Sequence, residues 1–209
     1  MSVFTTPAPI TAAVEVPAGI VTVTATDRPE TVVEVRPADP RNKTDVRAAQ
    51  QFRVELADGE LTVEMRRGRW NPFGGTPTVA VDIQVPTGSR LTASVALGTL
   101  HTAGAFDGCE LAVADGDIRI ERPSGAVTAT TARGDIRVED AASGALRLET
   151  ATGELSVGIR PGSAVRLATH ESYGAVRNLL DPVGPDAAVV EVDARNYHGP
   201  IVVGHAVAV

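Results

Sequence analysis

Three stretches, GDIRI at Gly116–Ile120, GDIRV at Gly134–Val138 and GELSV at Gly153–Val157, repeat one pattern. Each is a glycine followed by apolar residues at every second place. Weaker copies begin at Gly98 (GTLHT), Gly174 (GAVRN) and Gly199 (GPIVV). Successive glycines lie 18, 18, 19, 21 and 25 residues apart. A recurring period of this length is the mark of a solenoid, in which each repeat is one small unit stacked on its neighbours.

Alignment on the glycines shows what each unit contains. Two places after them stand Leu100, Ile118, Ile136, Leu155, Val176 and Ile201; seven places before stand Leu91, Cys109, Val127, Leu146, Leu167 and Val192. Every one of these is apolar. Five places before stand Ala93, Leu111, Ala129, Leu148, Thr169 and Ala194, and the residue between the two inward places after the glycine is mostly polar, as at Arg119 and Arg137. Alternation of this kind predicts two short half-buried strands per unit, joined at the glycine. A lone strand pair cannot bury its apolar face. Stacked pairs can, with Ile118 over Ile136 and Leu146 over Leu167, and about 18–20 residues per coil leave an interior filled by side chains. The expected fold is therefore all-β: a two-sheet β-solenoid, or parallel β-helix-like roll.

Upstream, the same phase is carried by Val14, Val16, Val21 and Val23 around Gly19, and by Phe52, Val54, Leu56, Leu61 and Val63 around Gly59. The intervals there are 40 and 39 residues, filled by extra strands over 31–36 and 78–85 and by the loop RRGRWNPFGGTP, with Trp70 and Phe73. These two side chains are expected either to pack over the end of the stack, the favoured reading, or to form an exposed contact for a partner. The one helical candidate is Asp45–Gln51, with Asp45 as its cap. One continuous domain over 1–209 is expected, with an irregular, sandwich-like N-terminal part (1–88) and regular repeats from 89 on.

Composition agrees. Valine alone supplies 29 residues and glycine 20, against 2 methionines and 3% aromatics, which suits strands and tight turns. The formal charge of −7 argues against nucleic acid or an anionic membrane as partner. No apolar run is long enough for a membrane helix. The first residues, MSVFTTPAPI, have neither the basic nor the apolar region of a secretory signal, so a cytoplasmic location is expected.

The chain resembles the bacterial candidate-adhesin family of β-strand-repeat proteins catalogued as domain of unknown function 4097. The resemblance rests on GDIRI and GDIRV with their spacing, VPAG at Val16–Gly19, PADPRNKTDVRAAQQFRVE, ADGELTVEM, the loop WNPFGG and VDIQVPTGSRL. It implies a repetitive all-β protein of actinobacterial look with adhesion as its proposed role. It implies no catalytic residue, cofactor or metal.

The search for chemistry yields little. Cys109 shares an apolar column and is expected to be buried and inert. His101, His170, His198 and His205 show no metal spacing; His170 beside Glu171 would need a nucleophile, and Ser94 and Ser172 lie in no GxSxG elbow. Asp115, Asp117, Asp135, Asp140 and Glu154 cluster at the turns. Two alternatives use them. Stacked Asp117 and Asp135, with Glu154, could serve a carbohydrate-active β-helix enzyme. A calcium-binding roll also places aspartates in turns, although its GGxGxDxUx repeat is absent. The bland reading, turn residues on a solvated face, carries more weight. A non-enzymatic structural or interaction protein is expected. A solenoid must end somewhere, and the uncharged tail PIVVGHAVAV suggests a homo-oligomer formed through the C-terminal coil.

Overall fold

The structure, a computed structural model, describes residues 1–65, 76–181 and 187–206, omitting the side chains of Glu171 and Ser172. Trp70, Phe73, the loop 182–186 and the last three valine and alanine residues lie outside the described residues. In chain order the elements are β1 (Ser2–Thr5), β2 (Thr11–Thr26), β3 (Glu30–Pro37), α1 (Lys43–Gln50), β4 (Phe52–Ala57), β5 (Glu60–Met65), β6 (Val79–Pro86), β7 (Arg90–Ala103), β8 (Gly108–Asp115) and β9 (Ile118–Ile120). They continue with β10 (Ala126–Arg133), β11 (Ile136–Ala141), β12 (Gly144–Thr152), β13 (Leu155–Ile159), β14 (Ala164–Tyr173), β15 (Val176–Asn178), β16 (Val189–His198) and β17 (Ile201–His205).

The strands pair in two arms. The first runs β5, the first half of β2, the first half of β7, then β8, β10, β12, β16 and β14, all parallel. The second runs β6, the second halves of β2 and β7, then β9, β11, β13, β17 and β15, also parallel. Strands β2 and β7 pass through both arms, so among the described residues all 17 strands are linked in one hydrogen-bonded ladder, and two separate sheets are not borne out. At the N-terminal side β4, β3 and β1 add antiparallel strands. This gives that part its separate, sandwich-like connectivity.

Alternation along each strand fills the space between the arms. Ile118, Ile120, Ile136, Val138, Leu146, Leu148, Leu155 and Val157 are each at most 2% exposed, whereas Arg119 and Arg137 between them face solvent. A single apolar cluster extends from Ile10 to Val203. Each fully buried Leu, Ile or Val stabilises by roughly 1.5–3 kcal/mol relative to exposure.

The stacking order departs from chain order at both ends. Strand β2 inserts between the β5–β6 coil and β7. Near the other end β16–β17 inserts between β12–β13 and β14–β15. Leu146 therefore pairs with Val192, and Leu167 meets the other side of Val192, which corrects the expected Leu146–Leu167 step. The last chain segment is likewise no end of the stack: β17 is hydrogen-bonded to β13 on one side and β15 on the other. Strand β17 itself therefore offers no free strand edge to a second chain. The outer coil is β14–β15, where Leu167 is half-buried and Val176 is 36% exposed, against 2% and 0% for Val192 and Ile201 one coil further in.

Glycine at the corner is a steric requirement. A Cβ on Gly116 would lie 1.8 Å from the Gly98 carbonyl oxygen, and one on Gly134 2.1 Å from that of Gly116. The column continues through Gly153 and Gly199 to Gly174, each against the carbonyl of the glycine stacked before it. No side chain fits where backbone meets backbone so closely.

Two local expectations change. Helix α1 is capped by Asn42, whose side chain accepts from the Thr44 N–H at 2.9 Å. Asp45 lies inside the helix, is 4% exposed, and accepts from the backbone N–H groups of Asp39 (3.2 Å) and Thr78 (3.1 Å), tying the helix to the strand layer. Gly59 is no coil corner. With Asp58 it forms the two-residue turn of the antiparallel β4–β5 hairpin, and both residues have positive φ (51° and 77°). An Asp-Gly pair between alternating runs is the sequence signal for such a turn.

Candidate functional site

The turn carboxylates are the first candidates, and the corner geometry decides their role. Asp117 and Asp135 follow the glycines of successive coils. One oxygen of Asp117 accepts the Asp135 N–H at 2.9 Å, and one oxygen of Asp135 accepts the Glu154 N–H at 2.7 Å. The two side chains thus form a ladder that satisfies backbone donors exposed by the corner, and charge strengthens each bond. Both stay on the exposed side of the turn. Asp115 and Asp140, also singled out from the sequence, pair with Arg133 and Arg160. Hydrogen bonding to Arg160 holds the Asp140 carboxyl below its ordinary range.

On the inner side of the same corner lies a second ladder that the apolar alignment misses. Thr131, Thr150 and Asn196 stand three places before their glycines and are 2%, 0% and 2% exposed. Thr131 donates to the Gly116 carbonyl at 3.1 Å, Thr150 to that of Gly134 at 3.1 Å, and Asn196 to that of Gly153 at 2.8 Å. Buried hydroxyl and amide groups need such partners. The available signal was a polar residue (Thr131, Thr150, Glu171, Asn196) in four of the six units, at a place that Val95 and Val113 fill in the other two.

Cys109 is 5% exposed within the core cluster. Burial pushes its thiol up from 9.0 to about 12. The unfolded chain therefore ionises this thiol first as pH rises. The associated stability is complete below pH ~9 and is lost progressively up to about 12. The expected result is that the difference in urea stability between the native chain and Cys109→Ala narrows by about 1–2 kcal/mol from pH 8 to pH 10.5. An unchanged difference would place the thiol in contact with solvent.

The histidines are dispersed. His101 stacks between Thr22 and Arg119 on the outer face. His170 Nδ1 lies 3.8 Å from an Asp193 oxygen, His198 stacks on the Tyr173 ring at 5.2 Å, and His205 Nε2 lies 3.4 Å from Asp181. Among the described residues no three His, Cys, Asp or Glu side chains gather as a metal site. Ser94 pairs with Ala112 and Glu15 on an outer face, apart from any histidine ladder partner.

One concavity stands out on the outer face of the second arm. A groove of about 410 Å³ crosses β11, β13 and β17. Its floor carries Ser156, Val202, Gly158 and Gly204; Arg137 and Glu139 form one side, Leu179 and His205 the other. The floor is low for a steric reason: β11 bulges after Val138, and a Cβ on Gly158 would lie 2.1 Å from the Glu139 carbonyl oxygen.

Neither a family model nor a curated protein matches the chain. Among solved structures, a candidate cell adhesion protein from Clostridium sporogenes is similar at a TM-score of 0.50 and 12% identity, over 98% of each chain. A candidate adhesin from Bacteroides fragilis is similar at a TM-score of 0.43 and 12% identity, over 96% of this chain and 95% of that one. The first likeness supports the all-β strand-repeat fold across the whole length. The cytoplasmic expectation is corrected: the similar solved chain from Clostridium sporogenes carries the name of a candidate cell adhesion protein.

Proposed function

We propose that this chain is a non-enzymatic contact protein, a β-solenoid of the adhesin-like kind grouped in domain of unknown function 4097. We take it as one continuous domain over 1–209. The observation that carries the reading is the use made of Asp117 and Asp135: each spends a carboxylate oxygen on the backbone N–H of the next coil. Each is thereby fixed as a brace between coils, and general acid–base work would be left to its one remaining oxygen. The adhesion role named for the similar solved chain agrees with this reading.

The test is a broad glycan-hydrolysis screen of the native chain, Asp135→Asn and Asp135→Ala, with melting curves for all three. No hydrolysis is expected from any. Asn keeps an acceptor oxygen and should change stability little, whereas Ala should cost about 1 kcal/mol. Hydrolysis by the native chain that disappears in Asp135→Asn at an unchanged melting temperature would overturn the reading.

A further inference from the structure

We propose that two copies of this chain join end to end through the outer coil, with β14 pairing antiparallel to β14 of the second copy. The starting point is an unfinished edge. Among the described residues β14 pairs with β16 alone and β15 with β17 alone. Val165, Leu167 and Thr169 point inward but are only half-buried, whereas Val190, Val192 and Ala194, their partners on β16, are at most 2% exposed. The end of the core thus lacks one layer. A ten-residue strand with a free edge is a template for another strand. No other part of the chain reaches the middle of β14. Residues 182–186 are tied at both ends and rejoin the fold where the Ala188 carbonyl accepts the Ala164 N–H at 2.7 Å. Five tethered residues extend no further than about 10 Å from there, and Thr169 lies about 17 Å along the strand. The three residues after Ala206 start one coil further in, where the Ala206 N–H donates to the Ile159 carbonyl, and span about 10 Å. Residues 66–75 join β5 to β6 at the opposite end of the stack.

The sequence of β14 suits its own copy. A two-fold axis at Leu167 sets Leu167 against Leu167, Val165 against Thr169, Arg166 against Ala168 and Ala164 against His170, and opposite residues of an antiparallel pair share a face. The inward residues of the two copies then close over each other, and no like charges stand opposite. Arg166 keeps its ion pair with Glu191. Strand β14 holds neither proline nor lysine, the residues that blunt an edge. The coil from Ala164 to Asp181 offers 18 residues, close to the roughly 20 a side of a standard interface. The contact is closed, because each copy uses up the free edge of the other. Strand β4, the edge of the first arm at the opposite end, has six residues and presents Arg53 and Glu55 outward, so it offers less to a second copy. This dimer goes beyond the contact reading and stands apart from it, since hydrolysis is not its readout.

The experiment is sedimentation equilibrium at micromolar concentration on the full chain, native, with Leu167→Lys and, at the opposite end, with Val3→Lys. Circular dichroism checks that each variant folds. The native chain and Val3→Lys should both show twice the chain mass. Leu167→Lys should weaken association by at least about tenfold, because its ammonium would be enclosed without a partner. A second variant, Leu167→Cys, reads the register without adding charge and decides the matter should Leu167→Lys fail to fold. Under a mild oxidant it should form a covalent dimer across the axis, while the native chain, whose Cys109 is 5% exposed in the core, should not. The proposal is overturned by a monomeric native chain, by a mass that climbs past two copies as a head-to-tail stack would, by folded Leu167→Lys associating as tightly as the native chain, or by Leu167→Cys failing to cross-link.

Discussion

Gly134→Ala is expected to destabilise the fold by at least about 3 kcal/mol, enough to lower the melting temperature by roughly 10 °C or to abolish soluble expression. Two costs coincide. The residue has φ +134°, a region that L side chains rarely adopt, and the added methyl would sit 2.1 Å from the Gly116 carbonyl oxygen and 2.5 Å from its carbon. That neighbour is backbone, held in register by its own N–H, which donates to the Arg133 carbonyl at 2.7 Å, and by the Thr131 hydroxyl, which donates to its carbonyl at 3.1 Å. It cannot rotate aside as a side-chain tip would. Gly162→Ala is the matched control: φ is +89°, and nothing lies within 4 Å of the added methyl. Only backbone strain remains there, about 1 kcal/mol. Urea melts of the two variants check the argument. Equal losses would show that the glycine column serves conformation alone, with no steric contact between coils.

Much of this fold is legible because its physics is local and repeated. Ile118, Ile136 and Leu155 recur at fixed distance from a glycine, and stacking like on like is the only way such short strands bury them. The reading failed where long-range pairing decides. Leu146, Leu167 and Val192 are interchangeable by pattern, so alternation cannot tell that the third lies between the first two. The sequence did carry a hint: the interval lengthens from 19 to 21 and then 25 residues once insertion begins. The residues flanking Gly59 keep phase through a hairpin as well as through a corner, and only the Asp-Gly pair distinguishes them. Asp117 and Asp135 are stacked neighbours, as their spacing implies. Their task depends on which backbone donor the next coil presents, and no spacing encodes that.

A chain ending at Pro200 is expected to lose the whole C-terminal end of the stack, and the reason lies in the inserted coil. Strand β17 holds Ile201 and Val203, both 0% exposed, whose removal alone forfeits roughly 3–6 kcal/mol of burial. Its neighbours lose more. Strand β15 is hydrogen-bonded to β17, and the Leu179 N–H donates to the Val203 carbonyl at 2.8 Å. Strand β13 would keep β11 on one side and gain an open edge on the other, uncovering Leu155 and Val157. If chain order were stacking order, the same truncation would peel off an outer strand and leave β13 and β15 paired with each other. Hydrogen exchange separates the two cases. The truncated chain should lose protection in Leu155–Ile159 and Val176–Asn178, while β8 to β11 stay protected. Unchanged protection of Val176–Asn178 would show that β15 has another partner and that β17 is not the strand holding the end of the solenoid together.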